Sequence, residues 1–198
     1  MTVPVRPALI VVSGMPGAGK TTLAHRLAAA VGCPAICRDE IKEGMVQTVP
    51  DFTAGQDDEL SLRANAAFFG MIETLVRAGV TTVAEAAFQD RLWRPGLEPL
   101  QDLARIRIVH CIVDPELAFQ RSLSRRTGNQ HRRAHPDPAP GDAGEYLARL
   151  RSFDRIDLGP PWIETAPPTV TGPTSPTSWP SPRSPEPRGS PATTLRAT

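Results

Sequence analysis

A chain of 198 residues with 40% hydrophobic content carries enough apolar side chain for one sizeable core and is short for two. Its formal net charge of +1 provides no global field of the kind that marks a nucleic-acid or membrane-surface binder. The cysteines, Cys33, Cys37 and Cys111, include one C-x3-C pair with no second pair and no histidine at finger spacing, so they read as reduced thiols of a cytoplasmic protein and not as a zinc site.

In chain order, the first element is the apolar run "ALIVVS" from Ala8, far too short for a signal h-region or a membrane span and well suited to a buried strand. "GMPGAGKT" follows, Gly14 to Thr21, and fits G-x-x-x-x-G-K-[ST] in full between that strand and a helix over Lys20 to Val31. Glycines here let successive backbone N–H groups turn around phosphate oxygens, and the positive end of the helix adds to the attraction. Gly14, Met15, Pro16, Gly17, Ala18, Gly19, Lys20, Thr21 and Thr22 are therefore the candidate ATP-binding residues. Lys20 is expected at the β- and γ-phosphates and the Thr21 hydroxyl on Mg²⁺. Only Lys20 and Lys42 are lysines among the 22 basic residues, so no N-K-x-D base reader exists and a GTPase is excluded.

A second strand, "PAICR", runs into "DEIKEGM" and a helix over Asp39 to Met45. In a doubly wound sheet the carboxyl ends of neighbouring strands share one crevice. Asp39 can there accept the proton of an acceptor hydroxyl, or it can simply cap the helix. Lys42, three residues on, binds an anionic substrate group or is a surface lysine. A long helix is expected over roughly Asp58 to Ala78, then a third strand, "TTVAEA", whose tip carries Glu85. A carboxylate at such a tip needs a partner or a task. The options are contact with substrate or with a magnesium-bound water, or pairing with an arginine such as Arg91.

Beyond a helix over Asp90 to Leu103 and a fourth strand, "RIRIVHCIV", Asp114 and Pro115 open a helix running to Arg126 as N-cap and first residue. Asp114 is also the nearest match to a motor-type acid at a strand end, a reading its capping role supersedes. "RSLSRRTGNQHRRAHPDP" holds five arginines and two histidines with no acid before Asp137. Arg121, Arg125 and Arg126 fit a mobile lid that neutralises phosphoryl charge, with a solvated basic turn and an RNA-backbone patch as the less favoured readings. A helix over roughly Ala143 to Phe153 completes the periodic part. After Leu158, 11 of the 22 prolines fall in the last 40 residues, a composition expected to stay disordered. "PWIET", Pro161 to Thr165, could form a short fifth strand. The expected division is thus a domain over 1–158 and a tail over 159–198.

The cradle, "CRDEIK", "VAEAAF" and the arginine-rich segment together resemble the P-loop kinase group that includes polynucleotide 5′-kinase, zeta toxin and chloramphenicol phosphotransferase, often described as AAA-family ATP-binding proteins. The resemblance covers about Ala8 to Arg155. It implies a three-layer α/β/α fold with a parallel sheet of order 2-3-1-4-5, an aspartate base at Asp39, an acidic site residue at Glu85 and lid arginines at Arg121, Arg125 and Arg126. The family's arginine after the base is Lys42 here, which keeps the charge and loses the planar fork. The implied activity is a kinase that uses ATP and Mg²⁺ to phosphorylate a hydroxyl of a small molecule or nucleotide-like acceptor, as a monomer or weak dimer without a membrane partner. The competing class is an ATP-binding regulatory or nucleic-acid-binding protein without efficient turnover.

Overall fold

The computed structural model describes residues 5–55, 58–126, 133–135, 141, 143–159 and 162–166. The chain divides into two units, Met1–Pro168 and Thr169–Thr198, and the architecture below belongs to the first. The expectation of a disordered tail falls, from residue 167 onward, outside the described residues.

Strand β1 (Ala8–Ser13) lies at the centre of a five-stranded parallel sheet. Leu9, Val11 and Val12 are fully buried, because in a parallel sheet helices cover both faces and a central strand has no wet side. Its neighbours are β3 (Thr82–Glu85) and β4 (Arg105–Cys111), with β2 (Ala35–Cys37) outside β3 and β5 (Trp162–Thr165) outside β4. The order β2-β3-β1-β4-β5 is the one implied by the family resemblance. Register sets the functional edge: Val12 stands beside Glu85, Glu85 beside Cys37, and Ser13 beside His110. The fifth strand forms where "PWIET" allowed it, pairing from Ile108–Trp162 to Cys111–Thr165 as an exposed edge.

Helix α1 (Lys20–Val31) ends at Gly32, whose φ of 76° supplies the left-handed turn a side chain would resist. Helix α2 (Arg38–Val46) starts directly after β2 with Cys37 as its N-cap, so Arg38 is helical and not the last strand residue. Helix α3 (Glu59–Arg77) is capped by Asp58, which accepts from Ser61 N, and α4 spans Asp90–Leu97. The expected continuation of α4 to Leu103 is instead a 3₁₀ turn, Glu98–Asp102, because Pro99 has no N–H to extend the α-ladder. Asp114 Oδ1 accepts from Leu117 N at 3.1 Å and caps α5 (Pro115–Arg126); α6 spans Ala143–Arg151.

Two apolar clusters sandwich the sheet. One joins Leu9, Val11, Ala84 and Ile108 to Phe68 and Ile72 of α3 and to Phe88, Leu97 and Leu100. The other joins Val12, Val83 and Val109 to Ala24 and Ala28 of α1. Small residues on α1 let it approach the sheet closely, which brings the loop between β1 and α1 down onto the sheet's carboxyl edge. Phe68, Phe88 and Trp93 meet with ring centroids 4.9–6.0 Å apart and fill the opposite side.

Candidate active site

The loop from Gly14 to Gly19 owes its path to glycines that packing demands. Gly14, Gly17 and Gly19 have φ of 149°, 85° and 80°. A Cβ on Gly14 would lie 2.5 Å from Cys111 O, and one on Gly17 would lie 2.4 Å from Ala118 O. The loop is therefore wedged between the end of β4 and α5, closer than any side chain allows. Ala18 N closes a turn onto Met15 O at 3.2 Å, and α1 begins at Lys20.

Lys20 differs from a solvent-facing lysine. It is 8% exposed, its Nζ donates to Met15 O at 3.3 Å, and Glu85 Oε1 lies 3.7 Å away. Glu85, 2% exposed, accepts from Thr21 Oγ1 through its other oxygen at 3.0 Å. The tip of β3 thus meets the first turn of α1, and the pairing of Glu85 with Arg91 considered from sequence is not formed. Burial pushes the Glu85 carboxyl above its ordinary range, with Asp39 adding to the rise and Lys20 and Thr21 opposing it. A half-buried hydroxyl and a buried carboxylate held together at a strand end are hard oxygen donors, and they fit Mg²⁺.

Asp39 sits in the first turn of α2 and leaves the N-cap position to Cys37, so helix capping does not account for it. Its side chain is half exposed, and Arg38 Nη1 donates to Oδ1 at 3.1 Å. Local burial works to raise its carboxyl, but the charges of His135, Lys20 and Arg38 outweigh that and hold it below the ordinary value. Asp39 is accordingly ionised at neutral pH and within the field of the cradle lysine.

Arg38 went unnoticed in the sequence. Its Nε donates to Asn65 Oδ1 at 2.8 Å and its Nη2 to Ser61 O at 3.2 Å, so its three bonds lock the Asp39 carboxylate to α3. Adjacency to Asp39 was the only signal in the sequence, since Ser61 and Asn65 lie far along the chain.

Lys42 corrects the sequence reading most. It is 1% exposed, donates to Asp58 Oδ2 at 2.7 Å and lies over the Phe52 ring at 5.5 Å. It is not a surface lysine, and Asp58 already engages its ammonium group. Asp58 also accepts from Gly55 N at 3.2 Å and Ser61 N at 2.8 Å, so this pair ties the segment between α2 and α3 to both helices.

Of the arginine-rich segment, residues 127–132 and 136–140 fall outside the described residues, as does the Arg126 side chain. Arg121 and Arg125 lie on the last turns of α5, where Arg125 Nε donates to Arg121 O at 3.2 Å. Arg133 Nη2 donates to Val49 O at 2.9 Å, Ala134 is fully buried beside Val46 and Leu60, and His135 meets Glu43 at 3.0 Å. This stretch rests on α2, with His135 close enough to act electrostatically on Asp39. Thr22 is exposed on α1 next to Thr21.

Comparison with known proteins agrees with this fold. Residues 9–142 match the family model described as an AAA domain. A candidate kinase from Chloroflexus aurantiacus J-10-fl superposes with a TM-score of 0.71 at 25% identity, over 81% of this chain and 88% of that one. A sugar kinase from Janibacter sp. HTCC2649 gives 0.53 at 21% identity over 80% and 84%, and shikimate kinase from Acinetobacter baumannii gives 0.52 at 19% over 82% and 85%. No curated protein matches the sequence. Among the described residues no helix is long and apolar enough to cross a membrane. With a glycine cradle after β1, its lysine and threonine on the acid of β3, a sheet of order 2-3-1-4-5 and the AAA-domain model matched over most of its length, the chain belongs to the AAA-domain family of P-loop proteins.

Proposed function

We propose that the protein is a phosphotransferase that moves the γ-phosphoryl group of ATP to a hydroxyl of a small-molecule or nucleotide-like acceptor. The observation that carries this reading is the meeting of Lys20, Thr21, Glu85 and an ionised, half-exposed Asp39 at one sheet edge. A binding module needs the cradle; it has no use for a carboxylate locked in place by Arg38 beside that cradle and left open to a second ligand.

The cradle backbone and Lys20 bind the triphosphate, with Gly14 through Thr22 as the contact set. Thr21 and Glu85 would hold Mg²⁺, which would supply neutralisation of charge on the phosphate oxygens. Asp39 accepts the proton of the acceptor hydroxyl as the oxygen–phosphorus bond forms, and its lowered pKa keeps it ionised for that role. Arg121, Arg125 and Arg126 supply positive charge to the transferring group from the end of α5. Lys42 serves this site through the segment between α2 and α3 and not by touching substrate.

The test is titration with a fluorescent ATP analogue, followed by ADP release over a panel of hydroxylated metabolites and 5′-hydroxyl oligonucleotides. Magnesium-dependent ADP release with one acceptor class supports the reading and names the class. Tight nucleotide binding with no acceptor-stimulated turnover overturns it in favour of a nucleotide-gated binder.

A further inference from the structure

Among the described residues, His25, Cys37 and Glu40 form a group whose ligand atoms all lie within 4.8 Å of one another. The three come from different elements: His25 from the first half of α1, Cys37 from the end of β2 and Glu40 from the first turn of α2. None has a part in the phosphoryl transfer described above. His25 Nε2 stands 2.7 Å from Glu40 Oε1 and 3.7 Å from Cys37 Sγ. Ligand atoms around a tetrahedral zinc ion lie roughly 3.3–3.8 Å apart, given Zn–S near 2.3 Å and Zn–N near 2.0–2.1 Å. The sulfur–nitrogen edge already has that length. The nitrogen–oxygen edge reaches it when a cation replaces the hydrogen bond, an opening of under about 1 Å. Cys37 is 2% exposed, whereas His25 and Glu40 are half exposed, so a thiol lies at the bottom of the group and two donors stand at its mouth.

We propose that His25, Cys37 and Glu40 form a second cation site, which binds Zn²⁺ or a similar borderline-soft divalent ion with water completing the shell. Nitrogen, sulfur and oxygen donors together select such ions over Mg²⁺, which takes oxygen alone and belongs at Thr21 and Glu85. On binding, the Cys37 S–H bond breaks, its proton passes to solvent and a sulfur–metal bond forms. Burial raises the Cys37 thiol, and Glu85, Glu40 and Asp39 add to the rise with negative charge that a cation bound at the sulfur would offset. The bound ion links α1 to the junction of β2 and α2, two residues before the proposed base.

The experiment titrates Co²⁺ alone into the full chain without nucleotide and follows absorption. The expected result is one ion per chain with a thiolate-to-cobalt charge-transfer band in the near ultraviolet, displaced by Zn²⁺ and unaffected by excess Mg²⁺. Cys37→Ser removes the band, and Cys33→Ser leaves it. His25→Ala weakens binding by at least the roughly 10–100-fold that loss of even an outer-shell partner costs. Absence of a band overturns the proposal, as does a band that survives Cys37→Ser. If Cys37→Ser does not fold, His25→Ala and Glu40→Gln decide: unchanged Co²⁺ affinity in both overturns the site.

Discussion

The two halves of the crevice are built in different ways. Eight consecutive residues from Gly14 to Thr21 make the cradle, and among the described residues Glu85 is brought to it from β3. Around Asp39, where the proposed acceptor would bind, the contacts span elements: Arg38 with Ser61 and Asn65, Lys42 with Asp58, Glu43 with His135. The first half is one consecutive loop, wedged against the end of β4 and α5. The second exists only once α2, α3 and the segment around His135 have packed.

If the halves are separable, variants should split them. The largest effect is expected for Lys20→Ala, which should bring ADP release to background and weaken ATP binding. Because the Glu85 carboxyl already sits above its ordinary pKa, it can protonate when Lys20 is lost, and the fold should persist by circular dichroism. Turnover like that of wild type would take the cradle out of the reaction.

Asp39→Asn comes next and probes the other half alone. Turnover should fall roughly 10²–10⁴-fold, the span of a positioned general base, with ATP affinity nearly unchanged. Asp39 is not the N-cap of α2, so no capping energy is lost. A parallel fall in ATP affinity would assign Asp39 to the nucleotide side and erase the division.

Lys42→Ala tests whether the acceptor half depends on packing. Removing one partner of a buried pair costs about 3 kcal/mol, to be read from urea unfolding. Lys42→Met, which refills the volume, should recover part of that loss only when Asp58 is also made Asn. A stability change below about 0.5 kcal/mol would show that the pair is a surface contact.

The smallest effect is a pH dependence. Burial works to raise the Asp58 carboxyl, but the bond from Lys42 and the amides of Ser61 and Gly55 lower it on balance. A depressed folded-state pKa contributes stability above the unfolded value near 3.9, and that contribution is lost as pH falls through the folded value. The stability gap between wild type and Asp58→Asn should therefore be constant at neutral pH and close in acid below about pH 4. A gap that persists unchanged in acid would mean that Asp58 acts by shape and not by charge.

Much of this fold was legible before the structure. The apolar strands, Gly32, Asp114 with Pro115 and the cradle are all short-range signals, and each stands where the pattern placed it. Glu85 was legible as a strand-tip acid that needs a partner or a task, yet its partners were not, because Thr21 lies 64 residues away. The partners of Lys42 were hidden for a related reason. Its charge suggested either a surface or a substrate, and only packing of the following segment showed that Asp58 and Phe52 enclose it.

The cysteines show the same limit from another direction. Spacing along the chain found no second pair to hold a metal, whereas the sheet brings Cys37 to a histidine on one helix and a glutamate on another.

The sequence by itself determined the class of the molecule: hydrophobic periodicity chose a parallel sheet flanked by helices, and glycines at fixed spacing chose a phosphate loop, since both depend on backbone geometry over a few residues. Only the tertiary structure decided which charges meet. Register set Glu85 and Cys37 side by side, the small face of α1 let the cradle reach Glu85, and the return of α3 against α2 locked Asp39 through Arg38 and buried Lys42. Electrostatic pairing depends on distance in space, and a chain fixes that distance only after its core has closed.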